Sequence, residues 1–363
     1  MWKAEEPFNE LAPPPAGSLE TPAVLKAAIG ARSALAALNQ AIRSTPNLTD
    51  LIGTIPLLEA RASSEVENIV TTTDELFRLA SDVDGVASAN ALETLRYRQA
   101  LYAGAEMVKA RPLSGATAVE VCSRVRGSEV NIRVGAGTHI GNPSTGLARY
   151  TPPVGREVIW QKLREWEDFV HSDSGLDPLV TLAAAHYQFE AIHPFTDGNG
   201  RTGRVLNVLL LLEFGLLQEP VLYLSRYINE NKAEYYRRLL AVSERQEWEA
   251  WILYMLEAVE DTSKQTLEMV EGIQGARDEF REAMRESSSG VNADLLARLF
   301  EQPYTRIAGV MDACSVSRPT ATKWLRELVA RGLLAEQQSG RERLFINEAL
   351  IGALEGKTRQ ATP

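Results

Sequence analysis

The sequence predicts a mainly α-helical protein with one β-hairpin in its middle and a small mixed unit at its C-terminal end. Three observations predict this fold class. Apolar residues recur at helical spacing through most of residues 24–125 and 158–284. Between these segments, alternation typical of strands begins at residue 130. The run from Ser287 to Gly290 is typical of a linker, and a new pattern of helices and a hairpin follows it.

Length and composition are those of a globular protein with a sizeable core. The chain has 363 residues, of which 45% are hydrophobic and 24% charged, so one to three domains are expected. The net charge of −10 argues against nucleic-acid binding by the whole chain, although a local basic face stays open. The two cysteines, Cys122 and Cys314, fit a reducing cytoplasm and predict no zinc cluster. We expect no signal peptide and no membrane span, because the most apolar stretch, residues 205–217, is short.

The N-terminal part is predicted as an extended arm followed by helices. Residues 1–22 are rich in proline, glutamate and small residues. Pro56 suits the first position of a helix, on which Ser63 and Glu67 are four residues apart and share one face. A charged cluster of this kind is usually a solvated helix face.

The chemistry-bearing stretch is a loop from His193 to Arg204 that runs straight into an apolar segment. This segment, Val205 to Leu212, is apolar on all faces and therefore predicts a buried helix. A helix N-terminus offers unpaired N–H groups and the positive end of a dipole, which suit phosphate. In the loop, Gly198 and Gly200 allow the backbone to approach an anion closely, and Asn199 tolerates unusual backbone angles.

The charged residues of this loop predict phosphoryl or nucleotidyl transfer. A neutral His193 can take a proton from a hydroxyl, and Asp197 supplies oxygen ligands suited to Mg²⁺. Arg201 and Arg204 supply forked donors for phosphate oxygens. Catalysis of such transfers consists mostly of positioning and charge stabilisation. Each piece alone would indicate no more than a tight loop.

Taken in order, the loop resembles the signature of the Fic family, HPFx(D/E)GNGRxxR. All fixed positions are present: His193, Pro194, Phe195, Asp197, Gly198, Asn199, Gly200, Arg201 and Arg204. The resemblance implies a Fic-type helical bundle with a β-hairpin flap, and transfer of AMP from ATP to a Ser, Thr or Tyr hydroxyl of a protein, including the chain itself. It implies that His193 and Arg201 are catalytic and that Asp197 holds Mg²⁺. The implied nucleotide site comprises Glu67, His193, Gly198, Asn199, Gly200, Arg201, Thr202, Gly203, Arg204 and Tyr236.

A second element of the resemblance lies upstream. Ser63, Glu67 and Asn68 match the family's inhibitory pattern, (S/T)xxxE(G/N). In that family the glutamate reaches the second arginine of the signature, here Arg204, and competes with the γ-phosphate of ATP. A carboxylate on this guanidinium occupies the fork that the phosphate needs. The resemblance therefore implies an autoinhibited enzyme whose inhibitory helix precedes the core.

The hairpin predicted for residues 130–153 has two interpretations. By resemblance it is the flap that holds an extended target segment by strand addition, and the alternative is an ordinary surface hairpin. The histidines outside the signature are assigned no chemistry: His139 and His171 are expected at the surface, and His186 in the core.

The C-terminal unit, residues 291–350, reads as three helices and a hairpin, an order that resembles a winged helix-turn-helix. It carries eight basic and seven acidic residues, a modest electrostatic footprint for DNA binding. Its candidate basic face comprises Lys323, Arg326, Arg331, Arg341 and Arg343. DNA binding, dimerisation and target docking are all open roles.

The expected organisation has four parts. Residues 1–90 form an N-terminal helical region with the inhibitory motif, 91–260 the Fic catalytic core, 261–290 a helical linker and 291–363 the winged helix-turn-helix-like domain. The expected partner is a protein with a hydroxyl side chain near the flap, in the cytoplasm and without a membrane, while a homodimer and DNA stay open. The alternative functions are removal of AMP and a nucleotide-sensing, DNA-binding regulator.

Overall fold

The computed structural model describes residues 3–44, 52–81, 88–135, 140–141, 148–339 and 342–356. These parts contain fifteen α-helices and five short strands, so the mainly helical prediction is confirmed. The helices of the first 245 residues are α1 (Pro22–Ser44), α2 (Ile55–Val66), α3 (Thr73–Ala80), α4 (Ala89–Ala110), α5 (Gly115–Arg126), α6 (Arg156–His171), α7 (Pro178–Ile192), α8 (Asn199–Glu213), α9 (Leu224–Glu230) and α10 (Lys232–Arg245). The remaining helices are α11 (Trp248–Met284), α12 (Ala293–Glu301), α13 (Ile307–Cys314), α14 (Arg318–Ala330) and α15 (Glu348–Leu354). The strands are β1 (Ile140–Gly141), β2 (Ala148–Tyr150), β3 (Tyr304–Arg306), β4 (Ala335–Ser339) and β5 (Glu342–Ile346).

Helix α8 lies at the centre of the core, as the all-round apolar run predicted. Nearly every residue from Asn199 to Leu211 is buried, against α4, α5 and α7. Gly104 of α4 allows the close approach, because an added Cβ would lie 2.6 Å from Leu209 Cδ1. Helix α7 is held from two sides, since the indoles of Trp166 and Trp251 donate to its carbonyl groups at 2.9 and 2.7 Å. The loop between α7 and α8 is therefore mounted on two rigid elements.

Helix α2 is fixed in the bundle by a buried carboxyl group. Glu59 accepts hydrogen bonds from the Tyr97 hydroxyl of α4 at 2.8 Å and from the Ser225 N–H of α9 at 2.9 Å. Burial raises the pKa of Glu59, and these bonds satisfy its oxygens. As a result, the end of α2 that carries Ser63 has a defined position beside α8.

The hairpin differs from its prediction. Val130, Ile132 and Val134 were expected in a strand, but the described residues 127–135 form none. Only β1 and β2 pair, antiparallel, with Ile140 opposite Tyr150. Arg133 explains the difference, because its N–H donates to the Pro194 carbonyl at 3.0 Å and so serves the loop. The rest of the hairpin, 136–139 with His139 and 142–147, lies outside the described residues.

The N-terminal arm, predicted as an extended segment, lies next to the hairpin and contains turns and a short 3₁₀ helix, Ala16–Ser18, before α1 begins. The Phe8 N–H donates to the Thr151 carbonyl at 3.0 Å, and the Phe8 ring packs edge-on against Tyr150 at 6.3 Å between centroids. None of the described helices is both long and apolar enough to span a bilayer.

Helix α11 joins the bundle to the C-terminal unit. It continues without interruption through Gly272 and Gly275. It packs against α1, α12 and α15. The C-terminal unit has the predicted helices and hairpin and one further strand, in an antiparallel sheet of order β3-β5-β4. This unit contacts α3, where Arg78 Nη2 donates to Gln337 Oε1 at 2.7 Å.

Candidate active site

His193 lies at the point where α7 ends. Its backbone is left-handed, with φ +48°, and its N–H still donates to the Phe189 carbonyl at 3.0 Å. Pro194 follows, and a proline disfavours helical geometry in the residue before it. Burial, together with the nearby Arg133 guanidinium, lowers the pKa of His193 to about 4. The imidazole is therefore neutral near pH 7 and can accept a proton.

The loop after His193 is closed by a side-chain staple. Asn199 Oδ1 accepts from the Phe195 N–H, and Asn199 Nδ2 donates to the Phe195 carbonyl, both at 2.8 Å. Phe195 is fully buried and anchors the loop to the core. Gly198 has φ +86°, a conformation that favours glycine. The side chain of Asn199 thus shapes the loop, and the loop delivers the N-terminus of α8 to the site.

Arg133 supports the loop from the other side, a role that no sequence pattern predicts. Arg133 is only 4% exposed. Its Nε donates to the His193 carbonyl at 2.7 Å, and its Nη2 donates to the carbonyls of Pro153 and Ile192 at 2.6 and 3.2 Å. One guanidinium thereby fixes the end of α7 and the segment that follows the hairpin.

Arg133→Leu is expected to lower the free energy of unfolding by about 2–4 kcal/mol, because it leaves three buried carbonyls without their donor. Chemical unfolding followed by circular dichroism measures the change. Arg124→Leu is the matched control, because Arg124 lies exposed on α5 and pairs there with Glu120; a change within about 0.5 kcal/mol is expected for it. Equal unfolding midpoints for the two variants would contradict the supporting role of Arg133.

Arg204 is buried, with 1% exposure, and is held by α2. Its Nε donates to Ser63 Oγ, and its Nη2 to the Ser63 carbonyl and to Glu67 Oε1, each at 2.8 Å. Burial alone would lower the pKa of Arg204, but the Glu67 carboxylate outweighs burial and the pKa rises. The structure thus brings together Ser63, Glu67 and Arg204, which the resemblance had placed in contact.

The Glu67 carboxylate lies against the N-terminal end of α8. A Cβ added at Gly200 would overlap Glu67 Oε1 and would lie 3.0 Å from Arg204 Nη1. Asn68, the next residue, has φ +63° and ends α2 in the left-handed conformation that asparagine and glycine tolerate best. Glu67 therefore occupies the place at this helix end where an anion is favoured.

Arg201 and Asp197 belong to a second cluster of charges at the helix end. Arg201, 2% exposed, forms an ion pair with Glu93 of α4, and its Nη2 is 3.9 Å from Asp197 Oδ1. The Asp197 side chain is 56% exposed, and its other oxygen contacts Arg126 of α5. No group of three or more metal-ligating side chains occurs in the described parts of the chain. A single, largely exposed carboxylate fits Mg²⁺ that is held mainly by substrate phosphates.

The two adjacent tyrosines of α10 lie in different surroundings, Tyr235 in the core and Tyr236 beside the site. Tyr235 is buried and hydrogen-bonded to His186 at 2.8 Å, so the core assignment of His186 is confirmed. Tyr236 is 38% exposed, and burial and the nearby Glu67 raise its pKa to about 12. The structure therefore places Tyr236, the expected adenine contact, beside the Glu67–Arg204 pair. Ser243, further along α10, is buried and its hydroxyl is hydrogen-bonded to the Tyr187 hydroxyl at 2.9 Å.

Thr202 and Gly203 face the core, and Glu190 is a further, half-buried acid that sequence reasoning missed. Thr202 is fully buried. Gly203 lies against Glu190, whose Oε1 a Cβ at this position would overlap. Burial raises the pKa of Glu190 to about 7, although Arg204 acts in the opposite direction. The Thr202 side chain and the backbone at Gly203 are thus packed beside the site.

The candidate basic face of the C-terminal unit is partly neutralised. Arg331 pairs with Glu286 and Glu327, and Arg343 pairs with Glu336. Lys323 and Arg326 of α14 are exposed. Arg341 lies outside the described residues.

Comparisons with known families match three parts of the chain. Residues 25–106 match the N-terminal region of the Fic/DOC family, and residues 129–211 match the Fic/DOC family itself. Residues 277–350 match the C-terminal domain of SoFic-like protein adenylyltransferases. Together these matches cover about two thirds of the chain.

Individual relatives agree with these families. Protein adenylyltransferase fic-1 of Caenorhabditis elegans is 35% identical over 123 residues, which are 33% of this chain and 22% of that protein. Protein adenylyltransferase Fic of Drosophila virilis is 45% identical over 58 residues, which are 16% of this chain and 12% of that protein. The chain thus spans about a fifth or less of the length of these relatives.

Solved structures show the same fold. A Fic family protein from Desulfovibrio desulfuricans has a TM-score of 0.55 at 18% identity, over 93% of this chain and 98% of that one. A fragment of Fic-1 from C. elegans has a TM-score of 0.52 at 20% identity, over 66% and 70% of the two chains. Three family matches along one chain, carried on a fold that solved Fic proteins share, show that this protein belongs to the Fic/DOC family.

Proposed function

We propose that the protein transfers AMP from ATP to a Ser, Thr or Tyr hydroxyl of a target protein and of itself, and that Glu67 restrains this reaction. The observation that carries the proposal is the arrangement around the N-terminus of α8. His193 lies at the loop that leads to it, and Arg204 lies one turn inside it with Glu67 on its guanidinium. The relatives named protein adenylyltransferase support the same reaction class.

In the proposed reaction, the hydroxyl oxygen attacks the α-phosphorus of ATP. Its proton goes to His193, which is neutral at working pH. The bond from the α-phosphorus to the bridging oxygen breaks, and pyrophosphate leaves. The backbone N–H groups at Gly198 to Gly200 and the Arg201 guanidinium stabilise the phosphates, and Arg204 binds the γ-phosphate once Glu67 withdraws.

Asp197 is the proposed ligand for Mg²⁺. Its half-exposed carboxylate fits one position in a shell completed by phosphate oxygens and water. Bound there, the ion would neutralise charge on the α- and β-phosphates. The target hydroxyl is proposed to lie near the hairpin of β1 and β2, with Tyr236 beside the adenine.

The position of the label in ATP distinguishes the proposed AMP transfer from phosphate transfer and from removal of AMP. Incubation of the Glu67→Gly variant with α-labelled ATP and Mg²⁺ is expected to label the protein, whereas γ-labelled ATP is expected not to. EDTA is expected to abolish the label. Gel electrophoresis and autoradiography provide the measurement. Label from γ-labelled ATP would indicate phosphate transfer instead, and release of AMP from labelled protein without net labelling would favour the reverse reaction.

The C-terminal unit is proposed to be a winged helix-turn-helix-like domain. The order helix, strand, helix, helix, hairpin in the described residues supports this assignment.

A further inference from the structure

Four charged side chains beside the α8 N-terminus form a closed ring. Arg126 contacts Asp197 through its Nη1, and the same nitrogen is 3.7 Å from Glu93 Oε1. Glu93 pairs with Arg201, and Arg201 Nη2 returns to Asp197 Oδ1 at 3.9 Å. Two cations and two anions thus alternate around the ring, which is electrically neutral without any bound ligand.

The two arginines of the ring differ in exposure. Arg201 is 2% exposed and is enclosed by the core, whereas the Arg126 side chain is 36% exposed. The aliphatic part of Arg126 packs against the loop, since its Cδ lies 3.3 Å from the Cβ position of Gly198. The stem of Arg126 is therefore fixed while its guanidinium lies at the open rim, where it can exchange one anionic partner for another.

Both oxygens of Asp197 are engaged in this arrangement. Oδ1 accepts the Gly198 N–H at 2.6 Å and faces Arg201, and Oδ2 contacts Arg126. A divalent cation that bound Asp197 here would meet the Arg126 guanidinium at the same oxygen. Like charges at contact distance repel strongly, so the ion and the guanidinium exclude one another unless new anions arrive.

We propose that Arg126 is a positioning residue which neutralises Asp197 in the nucleotide-free site and moves to the phosphates of ATP when the metal takes Asp197. This inference rests on the proposed role of Asp197 as metal ligand. As a consequence, metal and nucleotide bind cooperatively. The metal displaces the Arg126 guanidinium from Asp197, and the phosphates of ATP provide a new partner for this guanidinium. Before ligands bind, the contact with Arg126 also keeps the Asp197 carboxylate close to the position in which it would bind the metal.

Binding of Mn²⁺ tests the proposal without any turnover. The full chain with His193→Ala is titrated with Mn²⁺, alone and with ATP, and free Mn²⁺ is followed by electron paramagnetic resonance. Arg126→Gln is expected to tighten binding of Mn²⁺ alone by about fivefold or more, and to reduce the further gain that ATP brings. Arg124→Gln, on the same helix but paired outward with Glu120, is the matched control and is expected to leave both affinities unchanged.

Asp197→Asn shows whether the effect of Arg126→Gln on Mn²⁺ affinity depends on the Asp197 carboxylate. In this background, Arg126→Gln is expected to change Mn²⁺ binding no further. The proposal is overturned if Arg126→Gln leaves the affinity for Mn²⁺ alone unchanged, or if its effect persists in Asp197→Asn. The outcome is separate from that of the transfer reaction: absence of label from ATP would remove the proposed function, while an Asp197-dependent effect of Arg126 on Mn²⁺ would still stand.

Discussion

Glu67→Gly is expected to raise self-labelling from α-labelled ATP by at least about tenfold. The Glu67 carboxylate makes a charge-assisted hydrogen bond of 2.8 Å to Arg204, and such a bond contributes roughly 1.5–3 kcal/mol. Without this bond, one position of the Arg204 guanidinium becomes free for phosphate, while Ser63 still holds the guanidinium in place through Nε and Nη2. At about 1.4 kcal/mol per tenfold change, the gain in γ-phosphate affinity is roughly 10- to 150-fold.

Glu65→Gly is the matched control for this prediction. Glu65 lies on α2, two residues before Glu67, with its side chain 38% exposed, and it pairs with Arg61 at 3.9 Å. A weak surface pair of this kind contributes little, so self-labelling should stay at the level of the unchanged protein. If Glu67→Gly and Glu65→Gly label equally, Glu67 has no inhibitory role and the increase reflects a loosened helix.

The same substitution should have a stability signature. Without Glu67, the buried Arg204 guanidinium loses its anionic partner, which is expected to lower the free energy of unfolding. ATP should restore more stability to Glu67→Gly than to the unchanged protein, because its phosphate replaces the missing anion and ligand binding stabilises the folded state.

Local pattern was enough to predict the helix that carries the site. The run Val205 to Leu212 has no polar face, and only a helix in the core can bury all of it. The loop chemistry was equally visible, because its residues are adjacent in sequence. The Glu67–Arg204 contact joins residues 137 positions apart, and only the resemblance to a family indicated it.

Other parts of the site could not be predicted because their roles depend on contacts between residues that are distant in the sequence. Arg133 stands in an alternating segment that reads as a strand, yet its three carbonyl partners fix the loop instead. Glu93 looks like an ordinary charged residue on a helix until α8 brings Arg201 to it from 108 positions away. Nothing local distinguishes Arg126 from Arg124, although one faces the site and the other pairs outward on the same helix.

His193→Ala is expected to lower transfer by about 10²- to 10⁴-fold, the range that a general base contributes. The comparison is made in the Glu67→Gly background, where transfer is measurable, with α-labelled ATP. ATP binding, followed by calorimetry, should stay within about threefold, because Arg204 and the N-terminus of α8 lie on a different element from the imidazole. Loss of labelling together with retained ATP affinity separates the base from the binding site.

His171→Ala is the control, because His171 is exposed at the end of α6 and bonds the Leu113 carbonyl at 2.8 Å.

The pH profile of transfer adds a second test. Since the pKa of His193 is lowered to about 4, the base stays unprotonated from pH 8 down to about pH 5, and transfer should lose no activity to its protonation in that window. Activity that falls with a midpoint near the ordinary histidine value of about 6.5 would contradict the buried, neutral state of His193. Transfer retained in His193→Ala would mean that another group takes the proton, and the half-buried Glu190, whose pKa is raised to about 7, is the neighbouring group to replace next.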